Sequence, residues 1–395
     1  MKDHREVYIV AAARSAIGGF GGSLKDVPLA DLATHVVKAA IARSGLSADQ
    51  IGHVAMGNVI PTEPRDAYLS RVAAIQAGIP KETPAFNVNR LCGSGLQAII
   101  SAAQSIMLGD CQIAIGAGAE SMSRGPYLAN GARWGARMGD SQITDYMVGI
   151  LHDPFERIHM GVTAENVGRK YGISRQAMDE LAVESHRRAA KATAEGRFKS
   201  QIVPIEVRAG RKTVTFEQDE HVKADSSLEA LAGMKAAFIK DGAVTAGNAS
   251  GINDGAAAVV VAGAEAVKAH NLKPLVRLVA YAHAGVEPSL MGIGPVPATR
   301  MVLGKAGLTI GDIDVIEANE AFAAQACAVS RELEFDPAKV NPNGSGISLG
   351  HPVGATGAII TTKAIYELQR TGGRRALVTM CIGGGQGIAA ILERV

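Results

Sequence analysis

Two of the four cysteines sit in glycine-rich sequence, far apart in the chain. Cys92 lies in Asn89-Arg90-Leu91-Cys92-Gly93-Ser94-Gly95, and Cys381 in Thr379-Met380-Cys381-Ile382-Gly383-Gly384-Gly385. Small flanking residues let backbone N–H groups approach a reacting atom closely. A thiol beside such amides can serve as a nucleophile and as part of an oxyanion site. Two of them suggest a covalent step plus a proton transfer. Cys92 stands between a strand pattern, Pro84 to Val88, and an apolar helix pattern, Leu96 to Leu108. This turn has the form of a nucleophile elbow, and the helix N-terminus favours the thiolate. His351, in Gly350-His351-Pro352-Val353-Gly354, is positioned to point into a cleft and could accept the thiol proton, or is a loop histidine satisfied by backbone. Asn319 follows an apolar strand pattern, where an amide can hold a water or an oxyanion, or cap the next helix. Cys111 and Cys327 lie inside apolar strand and helix runs and read as core.

The elements that must position these residues alternate. Val7 to Ala13, Val54 to Ile60, Cys111 to Gly116 and Ala376 to Met380 read as strands, and Leu29 to Ser44 as a helix that stops at Gly45. That alternation predicts an α/β fold. Residues 121–249 differ, with most of the charge clusters and a helix capped by Ser174 that runs to about Ala194. They read as an inserted domain. The core halves are then 1–120, completed by 250–272, and 273–395. The opening pattern also returns. Gly45-Leu46-Ser47 to Asn58 resembles Gly307-Leu308-Thr309 to Asn319, Val88 to Gly95 resembles Val340 to Gly346, and Ile113 to Gly118 resembles Leu377 to Gly383. Three matches in one order predict two similar halves with a site where they meet.

Composition narrows the class. A chain of 395 residues with 47% hydrophobic and 20% charged residues has ample material for a core, and a formal net charge of +2 argues against nucleic acid as the main partner. No Cys-x-x-Cys occurs, which argues against structural zinc. Met1-Lys2-Asp3-His4-Arg5 is not a secretory leader by composition, and no membrane-spanning segment is expected, so a reducing cytoplasm fits. Gly93-Ser94-Gly95-Leu96-Gln97-Ala98 matches G-x-G-x-x-A, but the acid that should hold a ribose is misplaced. Asp110 comes too early and Glu120 too late. Arg133, Trp134 and Arg137 read as a surface loop or subunit contact.

Four blocks, Asn89 to Gly95, Asn319-Glu320-Ala321-Phe322, Gly350-His351-Pro352 and Cys381 to Gly385, together resemble the thiolase family over essentially the whole chain. Thr62 to Asp66, the Trp134 loop and Gly292 to Pro297 are most similar to bacterial biosynthetic acetyl-CoA acetyltransferases and the β-ketothiolases of polyhydroxyalkanoate synthesis. The resemblance implies two βαβαβαββ halves in five α-β-α-β-α layers, with the inserted domain covering the coenzyme A site. It implies a homotetramer with the Trp134 loop near the contact, acyl-CoA substrates, no resident cofactor and no metal. By resemblance, Cys92 carries the acyl group, His351 takes its proton, and Cys381 moves the α-proton of the second thioester. His351 with a water on Asn319 forms one oxyanion hole, and the N–H groups of Cys92 and Gly383 form the other. Coenzyme A contacts map to Leu151, His159, Met160, Ala237, Phe238, Ala246, Ser250, Met291, Ala321 and Phe322. Lys223 stands where close relatives have an arginine, and Ala230 where they have a serine. The implied reaction is reversible Claisen condensation of two acetyl-CoA, or of acetyl-CoA with propionyl-CoA, through acyl-Cys92. The alternatives are a degradative thiolase of broader chain length, a decarboxylating ketosynthase, a cysteine hydrolase and a non-catalytic coenzyme A-binding protein.

Overall fold

The computed structural model describes residues 6–395, so the leading Met1–Arg5 lies outside the described residues. The first half runs β1 (Val7–Arg14), α1 (Leu29–Ser44), β2 (His53–Gly57), α2 (Leu69–Gln76), β3 (Ala85–Val88), α3 (Ser94–Leu108) and β4 (Ile113–Ser121). After a long excursion it ends with β7 (Asn253–Gly263). The excursion holds α4 (Met160–Lys170), α5 (Arg175–Ala194) and the hairpin β5 (Ile205–Ala209) to β6 (Lys212–Phe216). The second half runs β8 (Val276–Gly285), α6 (Pro295–Ala306), β9 (Val315–Ala318), α7 (Ala323–Glu332), α8 (Thr356–Thr371), β10 (Arg375–Ile382) and β11 (Gln386–Arg394).

Most of these strands form one ten-stranded sheet in the order β9-β10-β11-β8-β1-β7-β4-β2-β3, with the short strand Gly18–Gly19 beside β7. It divides into a five-strand set and an equivalent set of four strands completed by a single bridge. β3-β2-β4-β7-β1 matches Val340-β9-β10-β11-β8, where Val340 bridges to Ile316 at the edge. The sets join only through β1 and β8, over Tyr8↔Arg277 and Ile9↔Val276. α3 and α8 pack together between the two sets, α1 and α2 cover the first outside, and α6 covers the second. These are the expected five layers.

The repeat seen in sequence has a physical basis. α1 and α6 both end on a left-handed glycine, Gly45 and Gly307. Each is followed by a short turn held by its own side chain: the Ser47 N–H donates to Gln50 Oε1 at 2.9 Å, and the Thr309 N–H to Asp312 Oδ2 at 2.8 Å. The same stop and restart leads into β2 and β9.

Three expectations shift. Cys111 precedes β4 rather than lying in it and is half-buried. Asn319 caps no helix, because α7 begins at Ala323 with Phe322 at its N-cap. The segment Leu91–Leu108 is long and apolar enough to cross a membrane. Its helix α3 instead fills the central layer, where both faces meet apolar neighbours.

A buried ion pair fastens the excursion to the core. Arg14, at the end of β1, is 0% exposed and donates to both Asp219 oxygens at 2.8 and 2.9 Å. It also donates to Gln201 and lies over the Phe198 ring.

The central layer is closed at a seam of glycines. A Cβ on Gly57 would lie 2.5 Å from the Ser94 carbonyl carbon, on Gly95 2.7 Å from the Ala358 nitrogen, and on Gly357 2.2 Å from the Leu96 nitrogen. These neighbours are backbone and cannot move aside. Gly95→Ala is therefore expected to cost about 1–3 kcal/mol or more by overpacking. Gly304→Ala, in α6 with nothing within 4 Å of its Cβ, should gain ~0.5–1 kcal/mol. Urea denaturation of both variants distinguishes seam packing from a general intolerance of alanine.

Candidate active site

The strand-to-helix turn before α3 presents Cys92. Leu91 adopts φ 44°, a left-handed conformation that is strained for a branched apolar residue. Local hydrogen bonds hold it there. Asn89 Oδ1 accepts from the Leu91 N–H at 3.0 Å, and Ser94 Oγ accepts from the Arg90 N–H at 2.8 Å and donates to the Leu91 carbonyl at 2.6 Å. Cys381 is the penultimate residue of β10 and fully buried. Gly383 follows β10 directly, and its N–H and that of Cys92 itself both reach the Cys92 sulfur. Two N–H donors thus lie beside the Cys92 sulfur.

His351 enters from the second half. Its N–H donates to Asn253 Oδ1 at 2.9 Å, and Asn253 Nδ2 donates to the Gly18 carbonyl at 3.0 Å. Its ring is fixed by Thr356. The Thr356 hydroxyl donates to the Pro352 carbonyl at 2.9 Å, so its oxygen accepts from His351 Nδ1–H at 2.7 Å. That assigns the tautomer and leaves Nε2 without a proton, as a base requires. Asn319 Nδ2 lies 3.4 and 3.5 Å from the two ring nitrogens, across the ring rather than in line with either. Asn319 is 1% exposed and its Oδ1 has no hydrogen-bond partner among the described residues. The Asn319 loop is itself clamped: Asn341 accepts from the Ala318 N–H at 3.0 Å and donates to the Ala318 carbonyl and to Glu320.

The site is buried, and this reverses one expectation. Burial pushes the Cys92 thiol up to about 11, against the pull of the two N–H groups. The α3 N-terminus does not win: the resting group is a thiol, not a thiolate. Burial, then the neighbouring Cys92, also pushes the Cys381 thiol up. Burial pushes His351 down to about 4, so its imidazole is neutral. Charge is created here only as a reaction proceeds.

Cys92, His351, Cys381 and Gly383 all line one cavity of about 350 Å³. So do Leu151, His159, Met160, Ala237, Phe238, Ala246, Ser250, Met291, Ala321 and Phe322. Asn319 stands behind His351, off the wall. Lys223 is exposed and away from the wall, with its backbone N–H on His186 Nδ1, and Ala230 is exposed in a short helix, Leu228–Ala232. Sequence reasoning gave no wall role to Val59, Met122, Ile150, Ile252 and Val353, apolar residues with no chemical group to mark them. The aromatic side is built on α4. His159 caps that helix by accepting from the Gly161 N–H at 3.0 Å and stacks on Phe238 at 4.6 Å. A Cβ on Gly161 would lie 2.3 Å from the Phe238 ring, so only glycine admits it. The excursion closes over the second half where the Ser250 N–H donates to the Ala321 carbonyl at 3.0 Å.

Comparison with known proteins agrees over the full length. Residues 7–265 match the model of the thiolase N-terminal domain and 272–394 that of the thiolase C-terminal domain. The chain is 63% identical to the beta-ketothiolase BktB of Cupriavidus necator, over 99% of this chain and 100% of that protein. Its structure superposes on the Bacillus anthracis acetyl-CoA acetyltransferase with TM-score 0.97 at 46% identity, over 99% of both chains. Human mitochondrial 3-ketoacyl-CoA thiolase in complex with CoA gives TM-score 0.96 at 44% identity, over 99% of this chain and 98% of that one.

The Thr356 hydroxyl is open to direct test. Thr356→Val leaves His351 Nδ1–H buried without an acceptor, a loss of about 1–2 kcal/mol. Alkylation of Cys92 by iodoacetamide near neutral pH should slow about tenfold, with Thr356→Ser restoring it.

Proposed function

The chain belongs to the thiolase family and is an acyltransferase; from that premise we propose that it joins two acetyl-CoA, or acetyl-CoA and a short acyl-CoA such as propionyl-CoA, and runs the reverse thiolysis. What carries this reading is the convergence of the Cys92 and Gly383 N–H groups on the Cys92 sulfur, with a second thiol, Cys381, on the same cavity wall. A hydrolase has no use for that second thiol.

In the first stage the Cys92 sulfur attacks the thioester carbonyl. His351 Nε2 takes the thiol proton and passes it to the departing coenzyme A sulfur. The oxyanion of the tetrahedral intermediate forms between the two N–H groups. In the second stage Cys381 gives its own thiol proton to His351, free again after the first stage, and as the thiolate takes a proton from the methyl carbon of acetyl-CoA. Burial raises its pKa and so makes that thiolate a stronger base. Enolate charge falls beside His351 and a water on Asn319. The carbanion attacks the acyl carbonyl, and Cys92 leaves and takes the proton held on His351, so that Cys381, now carrying the α-proton, and His351 are back in their resting forms. The result is ping-pong kinetics.

The wall residues on α4 and on the Ala246–Ile252 and Ala321–Phe322 segments take the pantetheine arm, with His159 and Phe238 as its aromatic side. Coenzyme A thioesters are substrates here, and no resident cofactor or metal is invoked. Lys223 supplies charge but no planar stacking toward the nucleotide end. We place the enzyme in the cytoplasm as a homotetramer, in the supply of 3-ketoacyl-CoA for polyhydroxyalkanoate synthesis. Trp134 and Met138, 85% and 98% exposed on one loop, support the assembly, since such side chains gain from a partner surface.

Labelled acetyl-CoA tests the assignment. Cys92→Ser should lower acyl transfer at least ~10³-fold. Cys381→Ala should still acquire label on Cys92 yet form no acetoacetyl-CoA. Wild type that takes up no label, or Cys381→Ala that condenses normally, contradicts the roles.

A further inference from the structure

One carboxylate beneath the site has no part in the chemistry just described. Glu120 is the penultimate residue of β4, at 0% exposure. Its partners are all N–H groups. Oε1 accepts from Asn58 Nδ2 at 2.8 Å and the Ile60 N–H at 3.0 Å. Oε2 accepts from the Val59 N–H at 3.1 Å and the Gly354 N–H at 2.8 Å. Three of these donors belong to the first half and one to the second. Val59 lines the catalytic cavity, and Gly354 ends the turn that begins at His351.

A buried acid without a cation is costly. The apolar side chains around it would pack as well. What they could not do is satisfy the three loop N–H groups, which no helix or strand serves. The fit is also tight. A Cβ on Gly354 would lie 2.5 Å from Glu120 Oε2 and 3.0 Å from the Asn58 Cα. The His351 turn therefore rests directly on this carboxylate. Burial pushes the Glu120 carboxyl up to about 8, against the pull of the Ile60, Gly354 and Val59 N–H groups, and in its ionised form its charge works against ionisation of the Cys92 thiol. Its use is geometric.

We propose that Glu120 is a positioning residue for the thiolase reaction, tying the His351–Gly354 turn to the Val59–Ile60 loop so that His351 stays in line with Cys92. This rests on the assignment of His351 as the base for Cys92. Glutamine has the same shape, but its amide nitrogen would face backbone N–H groups, so the bridge loses at least one bond.

The test is thiolysis of acetoacetyl-CoA by the full chain carrying Glu120→Gln. kcat should fall about 10- to 100-fold. KM for acetoacetyl-CoA should stay within about threefold, because the coenzyme A wall is untouched. Alkylation of Cys92 by iodoacetamide should slow alongside kcat. A soluble variant with kcat within twofold of wild type overturns the proposal. So does a joint change of kcat and KM that tracks lost thermal stability, since that is general loosening. If Glu120→Gln is insoluble, Asn58→Ala removes one Oε1 donor and carries the same test. It should lower kcat several-fold at unchanged KM, and an unchanged kcat overturns the idea. Wild type is labelled with acetyl-CoA in parallel. Wild type without label means the reaction assignment has failed; labelled, active wild type matched by Glu120→Gln means only this inference has.

Discussion

The structure depends on how closely two backbones can approach. Cys92 precedes α3 and His351 precedes α8, and these helices come from different halves. They meet because Gly57, Gly95, Gly118, Gly354 and Gly357 carry no Cβ where one would strike backbone or a fixed carboxylate. A methyl group at Gly118 would lie 2.6 Å from the Gly354 carbonyl oxygen. The seam brings nucleophile and base to one cavity, and the thin β1–β8 ladder alone could not hold that register. In sequence the glycines flanking Cys92 and Cys381 read as backbone access to a reacting atom. Gly95 belongs instead to the seam, whereas Gly383 turns its N–H to the Cys92 sulfur.

Burial then sets the chemistry. Neutral thiols and a neutral imidazole rest in a buried cavity with few ways to stabilise charge. The donors that exist are aimed: two N–H groups at Cys92, and His351 with Asn319 on the other side. Electrostatic help is therefore reserved for the positions where charge develops. The excursion completes this by closing an aromatic and methionine-rich wall, with Arg14–Asp219 as its anchor in the core.

Much of this was legible in the chain. The helix from Leu29 to Ser44 has the bounds its pattern implied, and Ser174 caps α5 by accepting from the Ala177 N–H. The two halves showed because the stop-and-restart at Gly45 and Gly307 uses the same local bonds. The direction of the Cys92 shift was not legible, since a helix N-terminus is a local signal and desolvation is a tertiary one. Nor was Thr356, whose hydroxyl matters only once α8 is folded back on His351. Glu120 was noticed only as too far along to hold a ribose. Its role needs four donors from two distant places in the chain, Asn58–Ile60 and Gly354, and no spacing rule brings those together.

The central claim is a division of labour between the halves, with Cys92 holding the acyl group and Cys381 moving the proton. Exchange of the acetyl-CoA methyl hydrogens with deuterated water, followed by NMR, isolates the proton step from the covalent one. The account predicts that exchange persists in Cys92→Ala and is lost in Cys381→Ala. Exchange that survives in Cys381→Ala, or vanishes only with Cys92, would contradict it.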